Sequence, residues 1–170
     1  MVIWLIGLSG AGKTTLGSLL QTKIIENKKE IILLDGDVIR SIWGDNLGSD
    51  IESRRKNAER ISKLCKYLDD QGVNVVACVL SLFPEWQRWN RDNFKNYFQV
   101  YLDVPISVVK KRDTKGLYKK ATSGEIKNVV GIDIEFPEPA FSDLVLTMEE
   151  LSLPPDNAVN IIYNKIINRM

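Results

Sequence analysis

Gly7-Leu8-Ser9-Gly10-Ala11-Gly12-Lys13-Thr14 follows directly on the apolar run Val2-Ile3-Trp4-Leu5-Ile6. Its spacing, G-x-x-x-x-G-K-[ST], is that of a phosphate-binding loop. Glycines let consecutive backbone N–H groups turn inward, Lys13 reaches the β- and γ-phosphates, and Thr14 can hold Mg²⁺. A short strand ahead of the loop and a helical pattern behind it (Leu16, Leu19, Leu20, Lys23, Ile24) supply the context this chemistry needs. The helix adds the positive end of its dipole at the same place. The stretch reads as a nucleoside triphosphate site, and a strand delivering such a loop to a helix is the opening unit of an α/β sheet.

Further short apolar runs lie at 31–34, 73–80, 98–102 and 143–147, and with 2–6 they make five expected strands. Helical patterns at about 12–26, 52–71, 84–95, 105–112 and 155–168 alternate with them. Runs without in–out alternation, such as Val73-Asn74-Val75-Val76-Ala77-Cys78-Val79-Leu80, suit strands covered on both faces. The expected fold class is α/β, a three-layer sandwich around a five-stranded parallel sheet of the P-loop nucleoside triphosphate hydrolase kind, with residues 1–170 forming a single domain. Ligands of such sheets bind beyond the carboxyl ends of the strands. The glycine loop, Asp35, Ser81 and Asp103 follow the first four strands in turn.

With 170 residues, 44% of them apolar, the chain can bury one sizeable core. A net charge of +1 argues against nucleic acid or a membrane surface as the partner and in favour of a small molecule. Cys65 and Cys78 lie in apolar surroundings without C-x-x-C spacing, which predicts buried free thiols and fits a reducing cytoplasm. The apolar start lacks a basic flank and no run approaches membrane-span length, so a cytoplasmic location is expected. Because the chain has no histidine, a general base at neutral pH must be a carboxylate or a shifted lysine.

Ile31-Ile32-Leu33-Leu34-Asp35-Gly36-Asp37 delivers two carboxylates from a buried strand onto a tight turn at the mouth of the glycine loop, as candidates for metal and base. Arg40 follows on the next short segment, and Arg54 with Asn57 one turn later on the same helix face offers an arginine fork to an anionic nucleotide. Asp113 to Pro139 is long, punctuated by glycine and rich in lysine (Lys115, Lys119, Lys120, Lys127), and reads as a lid. Trp86 and Trp89, three apart on a helical pattern, read most simply as core, with a rebuilt acceptor wall as the alternative.

Read together, Gly7 to Thr15, Leu34-Asp35-Gly36-Asp37-Val38-Ile39-Arg40, the Asp45-Asn46-Leu47-Gly48 turn, Arg54-x-x-Asn57 and Arg112-Asp113-x-Lys115-Gly116-Leu117-Tyr118-Lys119-Lys120-Ala121 resemble the adenylyl-sulfate (APS) kinase family. Gly124-Glu125-Ile126-Lys127 and Gly131-Ile132-Asp133 extend the likeness over nearly the whole chain. The resemblance implies a fold related to nucleotide kinases and transfer of the γ-phosphoryl of ATP, with Mg²⁺, to the 3′-hydroxyl of a nucleotide. Carried over by position, Asp35, Lys13 and Asp37 would be catalytic, with Asp35 the base or orienter at the 3′-hydroxyl and Thr14 and Asp35 at the metal. ATP would be held by Gly7, Ser9, Gly10, Ala11, Gly12, Lys13, Thr14, Thr15 and Arg112. The acceptor would be held by Asp37, Arg40, Arg54, Asn57, Ser81, Lys115, Gly116, Leu117 and Ile132. The implied partner is a small nucleotide acceptor, and the sequence leaves homodimerisation open.

In that family an aromatic residue follows the D-L-G turn and another precedes the T-G-I-D stretch, and together they sandwich the acceptor adenine; Ser49 and Val129 stand there in this chain. Stacking of a base on an aromatic ring is worth about 1–3 kcal/mol, so the base slot is expected to be altered. The family's S-P-Y-R reads Ser81-Leu82-Phe83-Pro84, which removes an arginine and adds Phe83 to Ser49 and Val129 as positions of specificity. APS is the acceptor by resemblance, and cytidine diphosphoramidate, a precursor for decorating a surface polysaccharide, is the alternative. A nucleotide-dependent switch and a non-catalytic nucleotide-binding regulator are the rivals from other classes. The first lacks N-K-x-D, since Asn164-Lys165 runs into Ile166-Ile167, and the second is opposed by intact Lys13, Thr14, Asp35 and Asp37.

Overall fold

The computed structural model describes residues 1–44, 47–113 and 115–170. Five strands, β1 (Val2–Ile6), β2 (Ile32–Asp35), β3 (Val75–Val79), β4 (Tyr97–Leu102) and β5 (Leu144–Leu146), form one all-parallel sheet in the order β2-β3-β1-β4-β5. Around it run α1 (Lys13–Glu26), α2 (Gly36–Ile42), α3 (Ile51–Asp70), α4 (Pro84–Asn93), α5 (Ile106–Arg112), α6 (Leu117–Thr122), α7 (Met148–Leu151) and α8 (Pro155–Ile166), which ends in a 3-10 turn, Ile167–Arg169.

The strands alternate their side chains between two cores. Ile3, Leu5, Val76, Val100 and Leu102 meet Leu16, Leu20 and Ile24 of α1 and Val159, Ile162 and Ile166 of α8. Val2, Trp4, Ile6, Val75 and Ala77 meet Ile61 and Cys65 of α3 and the rings of Phe94 and Tyr97. Both faces are covered, which explains why β1 and β3 read as unbroken apolar runs and β4 is broken only by the buried Gln99. Both cysteines are free and buried, and burial pushes each thiol up to about 12.

The expected strands and helices are present with ends shifted by a residue or two, since Val73 sits in the turn after α3, where its N–H donates to Leu68 O. Three helices were not legible as such: α2, α6 inside the expected lid, and α7. Asp37 accordingly lies in the first turn of a helix rather than on an isolated turn. Asp35 caps that helix, its Oδ1 accepting from Asp37 N at 2.9 Å and Val38 N at 3.3 Å. The lid segment also carries an isolated bridge between Val130 and Ile134.

The sheet positions the site through its order. On leaving β1 the chain meets β3 on one side and β4 on the other, so the glycine loop opens where the connections diverge to opposite faces.

Candidate active site

The loop after β1 is shaped by left-handed glycines, with Gly10 at φ 79° and Gly12, the residue before α1, at φ 101°. A side chain rarely adopts these angles, and here they turn the backbone around an anion-sized space. Lys13 folds back over the loop, its Nζ donating to Gly7 O at 2.8 Å and Leu8 O at 2.9 Å. Burial lowers its pKa to about 8, and the carboxylates of Asp37 and Asp35 pull it back up only in part. Thr14 Oγ1 donates to Asp35 Oδ2 at 2.6 Å, which joins the loop to the cap of α2.

These groups open into a cavity of about 1450 Å³, larger than the few hundred to roughly 1,000 Å³ of a single small-ligand pocket. It has room for two substrates. Of the residues expected at the triphosphate, Ser9, Gly10, Ala11, Gly12, Lys13, Thr14, Thr15 and Arg112 line it, whereas Gly7 lies outside the lining and supplies the carbonyl that holds Lys13. Of those expected at the acceptor, Asp37, Arg40, Arg54, Asn57, Ser81, Lys115 and Leu117 line it, and Gly116 and Ile132 do not. Ser49, Phe83 and Val129 are also in the wall. Asp103 is not: it is exposed, and its carboxylate accepts from Tyr101 Oη at 3.2 Å. Asp45 and Asn46 of the expected turn lie outside the described residues.

Two arginines of the cavity wall tie its segments together through backbone carbonyls. Arg40 donates to Leu47 O and Gly48 O. Arg54 donates from Nε to Ser49 O and from Nη2 to Asn128 O, both at 2.8 Å, so one guanidinium ties the segment carrying Ser49 to the segment carrying Val129. Burial lowers the Arg54 pKa, and its neighbour Arg40 adds to that. Val129 is itself packed into the core, with its N–H donating to Asp133 Oδ1 at 2.5 Å. The segment expected to be a lid reaches the site through Lys115, whose Nζ stands 3.2 Å from Asp37 Oδ2, and through Tyr118 Oη, which donates to Ser9 O at 2.8 Å.

Several wall residues carried no sequence signal. Leu151, Pro155 and Ala158, from the C-terminal helices, close the side of the cavity next to α1, and only the topology brings them there. Arg55 lays its guanidinium 4.5 Å over the Phe83 ring and pairs with Glu85, bracing that ring from outside the cavity. Trp86 lines the cavity while Trp89 packs edge-on against Phe94, so the tryptophan pair is divided between wall and core. Among the described residues no group of three or more carboxylates or thiolates could enclose a metal. Thr14 and Asp35 are the hard oxygen ligands on offer at the loop, a set that suits Mg²⁺ completed by water and phosphate oxygens.

Residues 1–147 match the family model described as adenylylsulphate kinase. The chain belongs to the adenylylsulphate kinase family. A cytidine diphosphoramidate kinase of Campylobacter jejuni is 43% identical over 145 residues, covering 85% of this chain and 84% of that one. An adenylyl-sulfate kinase of Pseudomonas aeruginosa is 42% identical over 165 residues, covering 96% and 83%. Among solved structures, the Mycobacterium tuberculosis APS kinase CysC in complex with AMPPNP and APS superposes with a TM-score of 0.88 at 32% identity, over 96% of this chain and 95% of that one. The family is one of ATP-using kinases, so the P-loop cavity is that of a phosphotransferase acting on a hydroxyl. No helix among the described residues is long and apolar enough to cross a membrane.

Proposed function

We propose that the protein transfers the γ-phosphoryl group of ATP to the 3′-hydroxyl of adenylyl sulfate. The observation that carries this reading is a single cavity lined both by Lys13 and the hydrogen-bonded pair Thr14 and Asp35 and by Arg40, Arg54 and Asn57. The acceptor lies with its sulfate-bearing anhydride toward the arginines and its 3′-hydroxyl toward Asp35. As the bond from the 3′-oxygen to the γ-phosphorus forms and the bond to the β-phosphate bridging oxygen breaks, the hydroxyl proton passes to Asp35 and ADP leaves.

Asp35 already accepts from Thr14 and from two backbone amides, which fixes its carboxylate in place. Its part is to orient the hydroxyl and to take the proton late, which suits a loose transition state with little early need for a base. Lys13 exchanges its carbonyl partners for phosphate oxygens and neutralises charge as it develops. Thr14 and Asp35 would hold Mg²⁺, which would supply charge neutralisation for the transferring phosphoryl group. Lys115 and Tyr118 bring the lid over both substrates and exclude water.

Cytidine diphosphoramidate is the second reading, favoured by Ser49 and Val129 in place of stacking rings and by the likeness to the Campylobacter jejuni enzyme. A smaller base needs less stacking surface. The deciding experiment is kcat/KM with ATP and Mg²⁺ for the two acceptors in parallel, with the product identified by ³¹P NMR. Preference for APS by tenfold or more selects the first reading, and the reverse selects the second. Turnover of neither removes both.

A further inference from the structure

Ser81 holds a backbone conformation that a residue with a Cβ rarely takes. It follows β3 at φ 53°, in the left-handed region, and two buried side chains grip it there. Gln87 of α4 donates from Nε2 to Ser81 O at 2.8 Å. Trp4 of β1 donates from Nε1 to Ser81 Oγ at 3.0 Å. The indole is itself wedged against Phe94 and Tyr97, with each ring centroid 6.4 Å from its own, so the direction of its N–H is fixed by packing.

An indole N–H only donates, so the serine oxygen must accept from it. The serine proton is left over, and among the described residues nothing accepts it. Ser81 is half-buried and lines the cavity. The turn that carries it stands against α3, where Arg55 lies 4.5 Å over the Phe83 ring and the preceding Arg54 lines the same cavity. A strained residue persists only where its surroundings over-determine it, and here the two donors leave one hydroxyl proton for whatever fills the cavity beside α3. We propose that Trp4 and Gln87 are positioning residues of the phosphoryl transfer set out above, on which this inference rests: they fix Ser81 as a one-way donor to an oxygen of the acceptor nucleotide. Gln87 sets the backbone and Trp4 sets the hydroxyl, and both act through Ser81. Accepting from Trp4 also strengthens the serine as a donor, because hydrogen bonds in a chain polarise one another.

The test measures kcat and both KM values, with whichever of APS and cytidine diphosphoramidate the wild type turns over, in Ser81→Gly, Trp4→Phe and the two combined. Ser81→Gly drops the hydroxyl and relaxes the backbone, while Trp4→Phe keeps a ring and drops the N–H. Each should raise acceptor KM by at least about 3-fold, the worth of a neutral hydrogen bond, with kcat and ATP KM changed by less than about 2-fold. The combined variant should be no worse than Ser81→Gly alone. Additive losses, or no loss in Trp4→Phe, overturn the proposal and leave the kinase reading standing. Wild-type turnover of neither acceptor overturns both. Gln87→Met, which keeps the length and drops the donor, should raise acceptor KM in the same way, and an unchanged KM removes Gln87. The NMR signal of the Trp4 indole N–H, identified by its absence from Trp4→Phe, reports what packing alone does not move. It should stay in place with a non-hydrolysable ATP analogue, move downfield when acceptor joins that complex, and in Ser81→Gly lie upfield and ignore the acceptor. A signal indifferent to acceptor in the wild type overturns the proposal even where Trp4→Phe fails to fold.

Discussion

Lys13 is bonded to two carbonyl dipoles, so its charge has no full counter-charge in contact until a triphosphate arrives. Lys13→Ala should accordingly lower kcat by at least about 10²-fold, measured by steady-state kinetics, because the phosphoryl group passes through a state richer in charge than the substrate. Asp35 has two separable duties. Its Oδ1 caps α2 and its Oδ2 meets Thr14. Asparagine caps a helix about as well as aspartate, so Asp35→Asn should leave the melting temperature within a degree or two while kcat falls by about 10²- to 10⁴-fold. Asp35→Ala should lose the same activity and also about 0.5–2 kcal/mol of stability, read by urea titration. A rise in acceptor KM with kcat unchanged would make Asp35 a binding residue instead.

Helix α1 lies against the sheet at one glycine. A Cβ on Gly17 would stand 2.4 Å from Cys78 Sγ and 3.1 Å from Leu33 Cδ1, well inside contact distance. Alanine is the better helix former by about 1 kcal/mol, yet Gly17→Ala should destabilise by about 1–3 kcal/mol, since the helix must lift off β3 and take the glycine loop with it. Cys78→Ala removes the closest atom, so in that background Gly17→Ala should cost at least about 1 kcal/mol less; chemical denaturation of the four proteins in the cycle measures the difference. Gly17 also marks where sequence reading stops. The glycine loop, the two aspartates and the Arg54–Asn57 pair were legible because each chemistry sits within a few consecutive residues. The close approach at Gly17, the C-terminal wall of Leu151, Pro155 and Ala158, and the brace of Arg55 on Phe83 depend on how separate segments meet. Helix α2 was hidden for a local reason: Asp35-Gly36-Asp37 is as good a turn as it is a helix start, and Thr14 favours the second by fixing the cap. Arg54 was legible as a cation of the cavity wall, while its bond to Asn128 O, 74 residues along the chain, was not.

Lys13 makes its own contribution to stability and its part in ATP affinity answer to pH in opposite directions. Its pKa is lowered from 10.5 to about 8 in the folded protein. Between those values the unfolded chain holds a proton there that the folded chain has lost, so this group's contribution to stability grows as pH rises from about 8 toward 10.5. Below about 8 both states are protonated and the burial cost is present in full. A triphosphate acts the other way: its negative charge restores the proton on Lys13, so binding above about pH 8 takes up a proton and affinity falls as pH rises. With no histidine in the chain, no imidazole masks the proton uptake, whereas in the stability curve Cys65 and Cys78, both pushed up to about 12 by burial, act against Lys13, because above about 9 the unfolded chain releases protons that the folded chain keeps. Calorimetric titration with a non-hydrolysable ATP analogue, in buffers of different ionisation enthalpy, should find little proton uptake at pH 7 and close to one proton at pH 9. Lys13→Met, which keeps the stem and drops the ammonium, should abolish that uptake and make the fall in melting temperature above about pH 9 steeper than in wild type, since the two thiols then act unopposed. Uptake that survives in Lys13→Met would assign the proton to another group and leave the ammonium of Lys13 charged throughout.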